Sequence, residues 1–331
     1  MECPHCQSEK VVKNGKDYHQ DGKAIQNYLC KGCGKRFNER TGTAMSRLRT
    51  PASIVSYALK MRTEGMGIRA SGRVLEKSHT SIMRWEQKLA NQAQQWSPEA
   101  PVGGDVTIEG DEIYTRVGEN LPPSESKGWT VVFIERNSRY WIEARVGIKT
   151  TELFAKATKT AWQWSKASQY IRWFSDGERR YAQQLWQMAS VYLKATEVSR
   201  EYGHRKVWRH GLEVAIKIKG SQGNRRVEWV KLEHPYTAIS DKSDVHANHN
   251  EANNSALRRR CSAYRRRQNL YAKNTEGLQR AVTVQRLVHN WVRPHGGLGK
   301  NKTPVMAIGL YHRPISMLEL LTLRGFTSLT P

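Results

Sequence analysis

The spacing of hydrophobic residues changes its period several times along the chain, and each change marks a different kind of structure. Near the N-terminus, Gln26–Leu29 and Arg36–Phe37 read as short strands of a unit with almost no core of its own. Pro51 opens a helical segment, Ala52 to Thr63, which Glu64-Gly65 ends. Ile68, Val74 and Leu75 then fit the inner face of a short helix, and Gly72 permits a close approach. Glu76-Lys77-Ser78 makes a turn with Ser78 as N-cap, and Ile82, Trp85 and Leu89 recur at helical spacing on a second helix from His79. This pair reads as a helix–turn–helix over 50–92, with His79, Ser81, Arg84 and Lys88 facing outward where recognition residues belong.

A Gln-, Ser-, Pro- and Gly-rich stretch, 92–104, reads as a linker, and beyond it the period shifts toward two. Strands are expected near 105–117, at Trp129–Glu135 and at Arg139–Gly147, the last two turning through Asn137-Ser138. Thr150 or Thr151 caps a helix reaching Ser165; a strand at Tyr170–Ser175, a helix at 178–188 and a fifth strand at Val191–Ala195 follow. Glu213–Lys219 and Arg225–Leu232 form a hairpin about Gly220–Gly223, within a basic, polar insertion at 199–247. Leu278, Ala281, Val282, Val288 and Trp291 have helical spacing. The predicted fold is multidomain α+β. An N-terminal ribbon (1–45) and the helix–turn–helix precede a layered α/β domain (105–300) with a β-hairpin insertion, and a C-terminal tail (301–331) follows.

Charge narrows the choice of partner. The 331 residues hold 54 Lys+Arg against 30 Asp+Glu, a net +24, so a polyanion, and DNA first, is expected. No apolar run is long enough to span a bilayer, and the N-terminus lacks the apolar core of a secretion signal. Four of the five cysteines lie in two C-x-x-C pairs, Cys3/Cys6 and Cys30/Cys33, the pattern of a tetrahedral Zn²⁺ site whose metal supplies folding energy to a ribbon this small. Reduced thiols together with basic charge suggest a cytoplasmic, nucleoid-associated protein. Cys261 reads as a plain buried thiol.

The stretch from His246 to Tyr271 holds one acid, Glu251, ahead of two arginine blocks at 258–260 and 265–267. Read as one helix, it places Glu251, Arg258 and Arg265 on one face, with Ala252, Ala256, Ala263 and Leu270 on a neighbouring apolar stripe. Acids also stand at the ends of two strands: Asp111 on the first, Asp176 after the fourth. If those strands lie side by side, Asp111, Asp176 and Glu251 converge into an oxygen-ligand site suited to Mg²⁺ (or Mn²⁺), the cation of phosphodiester chemistry. By position alone Glu109 and Glu112 compete with Asp111, and Glu178 competes with Asp176. His246, His249 and Asn253 stand where they can orient ligands, and Arg258 and Arg265 where they can hold a DNA backbone.

The ordered set of CPHC and CKGC, GDEIY around Asp111, FSDGERRY around Asp176 and HNEANNSALRRR around Glu251 resembles the DDE transposases of bacterial insertion sequences, the insertion-sequence-one family most of all. His289-Asn-Trp-Val-Arg-Pro-His-Gly-Gly-Leu298, followed by Thr303-Pro304, resembles a closing motif common among transposases. The resemblance implies a zinc ribbon and helix–turn–helix ahead of a ribonuclease-H-like domain, with Asp111, Asp176 and Glu251 holding the catalytic metal. It also implies cleavage at terminal inverted repeats, strand transfer into target DNA, and work as a homo-oligomer on paired ends. It favours Asp111 over its acidic neighbours; the long interval between Asp176 and Glu251 departs from the pattern. Two other readings use the same features: a zinc-dependent DNA-binding regulator without catalysis, and a ribonuclease-H-like nuclease that cuts DNA without joining it.

Overall fold

A six-stranded mixed sheet organises the chain in the computed structural model, which describes residues 1–192, 206–222, 225–232, 240–266 and 269–329. Its first three strands form an antiparallel meander: β4 (Asp105–Tyr114), β5 (Trp129–Glu135) and β6 (Trp141–Gly147). After helix α4 (Thr151–Ser165), β7 (Tyr170–Asp176) returns parallel to β4, pairing Gly110 with Ser175. Helix α5 (Arg180–Ala189) leads to β8 (Ser190–Tyr192) and β9 (Lys206–Trp208), which among the described residues pair only with each other. Strand β10 (Leu212–Gln222) then lies parallel to β7, and β11 (Arg225–Leu232) closes the edge antiparallel to it. The resulting order is β11-β10-β7-β4-β5-β6. Five of these strands, with their flanking helices, are consistent with a ribonuclease-H-like core.

Two expectations change here. The fifth strand of the sheet is β10, not Val191–Ala195, whose described residues belong to the small β8–β9 pair while 193–195 lie outside the described residues. The expected hairpin forms, but as part of the main sheet rather than as an appendage within an insertion. Leu212, Val214 and Ile216 are buried against β7, so the apolar alternation that predicts the hairpin belongs to a core strand. The remaining stretches of the predicted insertion, 199–205 and 233–239, lie outside the described residues.

Both faces of β5 are buried, as alternation requires of a central strand. Val131 and Phe133 join Phe154, Ala157, Tyr181 and Leu185 from α4 and α5, while Val132 and Ile134 face the other layer. That layer consists of α6 (Asn248–Arg260) and α7 (Thr275–Trp291), through Leu257, Leu278 and Val282. Helix α7 also covers the free edge of β6. Gln279 accepts from Val146 N (2.8 Å) and donates to Ala144 O (2.9 Å), and Asn290 does the same for Trp141 N and O (2.8 and 3.0 Å). Arg286, between them on the helix, donates to Ile142 O. Side-chain amides thus take the place of a neighbouring strand, and an edge open to pairing is closed. The His289–Leu298 motif is therefore embedded in packing: His289 donates to Arg139 O at 2.8 Å, and Trp291 is buried edge-on to Trp96.

At the N-terminus β1 (Val11–Tyr18), β2 (Ala24–Cys30) and β3 (Arg36–Phe37) make a small antiparallel sheet. Helices α1 (Ala52–Thr63), α2 (Ile68–Val74) and α3 (His79–Ala90) follow. A side chain at Gly72 would meet Lys77 O at 2.7 Å, so the tight α2–α3 turn needs that glycine. Ser78 accepts from Thr80 N, and Ile82, Trp85 and Leu89 are buried as expected. Val74, expected inside, is 59 % exposed: the last turn of the seven-residue α2 turns Ser71 and Gly72 inward instead.

These helices are stapled to the sheet domain. Buried Arg62 donates to Glu86 (2.6 Å) and to Ser262 Oγ (3.2 Å), and Arg280 of α7 reaches the other Glu86 oxygen at 3.4 Å. The stretch read as a linker is anchored through Trp96, whose carbonyl accepts from Trp291 Nε1 at 2.8 Å. Past α8 (Pro304–Ala307), helix α9 (Met317–Thr322) buries Met317, Leu320 and Leu321 in the same cluster as Val55 and Leu59 of α1. Among the described residues no helix is long and apolar enough to cross a membrane.

Candidate active site

Strand pairing brings the first two candidate acids together. Gly110 sits opposite Ser175 on the parallel partner, so the next residues, Asp111 and Asp176, emerge side by side. Glu112 joins them: one oxygen from each of Asp111, Glu112 and Asp176 lies within 4.8 Å of the others. Gly110 makes room for the packing below, since a side chain there would meet the Phe133 ring at 2.7 Å. The three carboxylates differ in their ties. Glu112 accepts from Lys149 Nζ (2.5 Å) and Tyr181 OH (3.0 Å). Asp111 accepts from Glu112 N at Oδ1 (2.8 Å) and from Asn254 Nδ2 at Oδ2 (2.7 Å). Burial and the neighbouring charges of Asp176 and Glu112 push the Asp111 carboxyl up from 3.8 to about 7. Carboxylates held against their mutual repulsion, with oxygen ligands only, suit a hard divalent cation such as Mg²⁺.

Helix α6 lies over this cluster because Glu109 pins it there. Glu109 is 0 % exposed and accepts from His249 N (3.0 Å) and Asn250 N (2.9 Å), the first-turn donors that a helix leaves unpaired. A carboxylate borrowed from β4 therefore does the work of an N-cap and also meets the positive end of the helix dipole. Arg136 (2.7 Å) and His249 Nδ1 (2.8 Å) donate to its other oxygen. Arg136 also holds the entry to the helix, donating to Asp244 O, His246 O and His246 Nδ1. Burial and the Arg136 charge lower the His246 pKa, which keeps its ring a neutral acceptor. One turn deeper, Asn250 Nδ2 bridges Glu109 O (3.0 Å) and Val132 O (2.9 Å), and four residues on Asn254 reaches Asp111.

This geometry alters the expected view of the 246–271 stretch. The buried side of α6 is Asn250, Asn253, Asn254 and Leu257, whereas Ala252 is exposed. Asn250 and Asn254 face inward because they meet backbone carbonyls and a carboxylate. The helix also stops at Arg260: Cys261 is extended, and a tight turn over Ser262–Tyr264 buries Ala263 and Tyr264, with Tyr264 OH 2.6 Å from Thr130 Oγ1. Arg265 therefore does not share a helical face with Glu251; its guanidinium donates to Arg259 O at 3.2 Å. Arg258 remains on the helix, near enough to Asp111 to feel its charge, with Nε buried and unpaired among the described residues. Glu251 is exposed on the first turn of α6, outside the 4.8 Å trio, and stands one turn before Asn254.

The other candidate residues fall in two places. His79 and Arg84 are exposed on α3 and Ser81 is half-buried, but Lys88 turns inward and donates to Ser46 O at 2.6 Å. That hydrogen bond braces the ribbon–helix junction, and burial, reinforced by Arg84 and Arg47, lowers the Lys88 pKa. In the ribbon, Cys3 Sγ lies 3.7 Å from Cys33 Sγ, and Cys6 Sγ lies 3.6 Å from Cys30 Sγ. A tetrahedron with Zn–S bonds of about 2.3 Å has S–S edges of about 3.8 Å, so the four thiols fit zinc. The Cys33 N–H pulls the Cys30 thiol down to about 6, while the neighbouring Cys6 thiol, crowded by Cys33, Cys30 and Cys3, is pushed the other way, so the four thiols share their protons as a group. Cys261 is buried, and burial pushes its thiol up to about 11, as an inert core cysteine requires.

In the sequence Glu109 stands only as a rival of Asp111, and Arg136, Asn250 and Lys149 carry no mark of their roles. The signal for Glu109 was present: alternation puts residues 109 and 111 on the same face of β4, so both meet the covering helix. Glu178, the rival of Asp176, is held by Arg180 Nε and Nη2, both at 2.8 Å.

No protein-family model matches the chain. It is 29 % identical over 134 residues to a Halobacterium salinarum protein described as an uncharacterized protein in transposable element ISH50. The match covers 38 % of this chain and 42 % of that protein, less than half of either. The chain thus has distant, partial homology to a protein of a transposable element, and it carries clusters able to hold metal ions.

Proposed function

We propose that the chain is a DDE-type transposase that binds the terminal inverted repeats of an insertion sequence and catalyses cation-dependent strand cleavage and strand transfer. The observation that carries this reading is the meeting of Asp111 and Asp176 on adjacent parallel strands beneath the helix that bears Glu251. A regulator that only bound DNA would gain nothing from holding these acids together, since their repulsion costs stability. The sheet order, an antiparallel meander extended by β7 and β10, supports a ribonuclease-H-like domain. The partial similarity to a transposable-element protein supports the same class.

Asp111, Asp176 and Glu251 would hold the cation, Mg²⁺ or Mn²⁺, which when bound supplies Lewis acidity toward phosphodiester oxygens. The chain's own part is to prepare that site. The Glu112 N–H and the Asn254 amide fix both Asp111 oxygens, so the carboxylate is oriented before anything arrives. Asp111 must release any proton it holds near neutrality before it can serve as a ligand. Arg258, on α6 and close to Asp111, meets the DNA backbone beside the reacting phosphate. His79, Ser81 and Arg84 on α3 read the repeat from a helix–turn–helix.

The test is a joining assay with Mg²⁺, using labelled duplexes that carry the inverted repeats flanking the gene and a plasmid target. Joined products are expected. Binding of the repeats without joining would leave the regulator reading in place; cutting without joining would favour the nuclease.

A further inference from the structure

Beside the carboxylates stands a cation that the reading above leaves without a task. Lys149, at the junction of β6 and α4, is 24 % exposed. Its ammonium donates to Glu112 Oε1 at 2.5 Å, lies 3.6 Å from Glu178 Oε2, and sits 4.3 Å from the Trp129 ring centre. The neighbouring cation is already committed. Arg180 holds Glu178 through Nε and Nη2, donates to Lys149 O at 2.7 Å, and lies over Phe154. Lys149 is different: a flexible stem, three donors, and a seat on an aromatic ring it can slide along. Glu112, for its part, keeps a hydrogen bond from buried Tyr181 whether or not Lys149 stays.

We propose that Lys149 is a substrate-binding residue that leaves Glu112 for the phosphate next to the reacting one when a DNA strand enters the carboxylate cluster. Glu112 and Glu178 stand in for that phosphate while the site is empty of DNA. Glu112 is then the resting place of Lys149 and not a metal ligand, which leaves the third position at the cation to Glu251. No bond to Lys149 forms or breaks; one charge-assisted hydrogen bond replaces another. The inference rests on the transposase reading and deepens it.

The test uses the full chain with zinc retained and Ca²⁺ in place of Mg²⁺, and reads anisotropy of a labelled duplex carrying the flanking repeat across a salt series. Losing one phosphate contact lowers the slope of log affinity against log salt by about 0.9. Lys149→Gln is expected to show that drop and Lys149→Arg to keep the wild-type slope. Mn²⁺ affinity without DNA is expected to be undiminished in Lys149→Gln. A second measurement needs no variant: methylphosphonates placed singly at the phosphates flanking the cut should produce the same drop at one position in the wild type. An unchanged slope in Lys149→Gln of normal melting temperature would overturn the proposal. So would a flat methylphosphonate scan, or weakened Mn²⁺ binding with an intact slope, which would make Lys149 a holder of Glu112 as metal ligand. Failure of the transposase reading looks different: the wild-type chain would join no ends in Mg²⁺, whatever the Lys149 slope.

Discussion

The balance at Asp111 sets a pH dependence that can be measured without any substrate. Its folded pKa of about 7 lies above its ordinary 3.8, so the folded chain holds a proton there that the unfolded chain releases. That contribution to stability is complete below the ordinary value and is lost as pH rises through the folded one. Without divalent cations, the melting temperature should therefore fall between about pH 5 and about pH 7.5, and Asp111→Asn should flatten the decline. Mg²⁺, by taking the proton's place, should reverse the fall in the wild type and not in Asp111→Asn. Equal slopes for the two proteins would remove Asp111 as the cause. Asp111 and Asp176 were legible because each sits where its strand meets its parallel neighbour. For Glu109 only the face was legible; its capping role was not, because sequence does not give the helix end a residue meets.

At the scale of elements, the pinning of α6 separates two glutamates that look alike in the sequence. Glu109 is buried, paired with Arg136 and capping the helix, whereas Glu251 is exposed on that helix. Glu109→Gln leaves Arg136 without its carboxylate and weakens the cap, and by chemical denaturation it should cost about 3 kcal/mol or more. Glu251→Gln should stay within about 0.5 kcal/mol, as surface changes do. Comparable losses would mean that α6 is held by something other than Glu109. Helix periodicity located α6 and α7 but misjudged which side of α6 is inside. An inward row of asparagines is invisible to any rule that equates inside with apolar. Its reason lies in strand carbonyls and a carboxylate contributed from more than a hundred positions away in the chain.

For the whole molecule, the cysteine cluster, the helix pair and the first four strands of the sheet were readable from cysteine spacing, capping and period, whereas the fifth strand was misplaced at Val191–Ala195. Their assembly was not. Arg62 on α1, Glu86 on α3 and Arg280 on α7 meet in one buried network, with Ser262 just past α6. Leu320 and Leu321 fold back against α1. Such contacts join segments that carry no local mark of one another, and they make helices α1–α3 and the carboxylate domain a single framework. In the proposed function that framework fixes where a bound repeat enters the site.

The central claim is that Asp111, Asp176 and Glu251 carry strand chemistry on DNA. It is tested most directly by single-turnover strand transfer on the flanking repeats in Mg²⁺, comparing Asp176→Asn and Glu251→Gln with Glu112→Gln at equal occupancy of the repeat. The account expects the first two to bind the repeat and form no joined product, with Glu112→Gln still joining ends. Normal joining by Asp176→Asn or Glu251→Gln would contradict it.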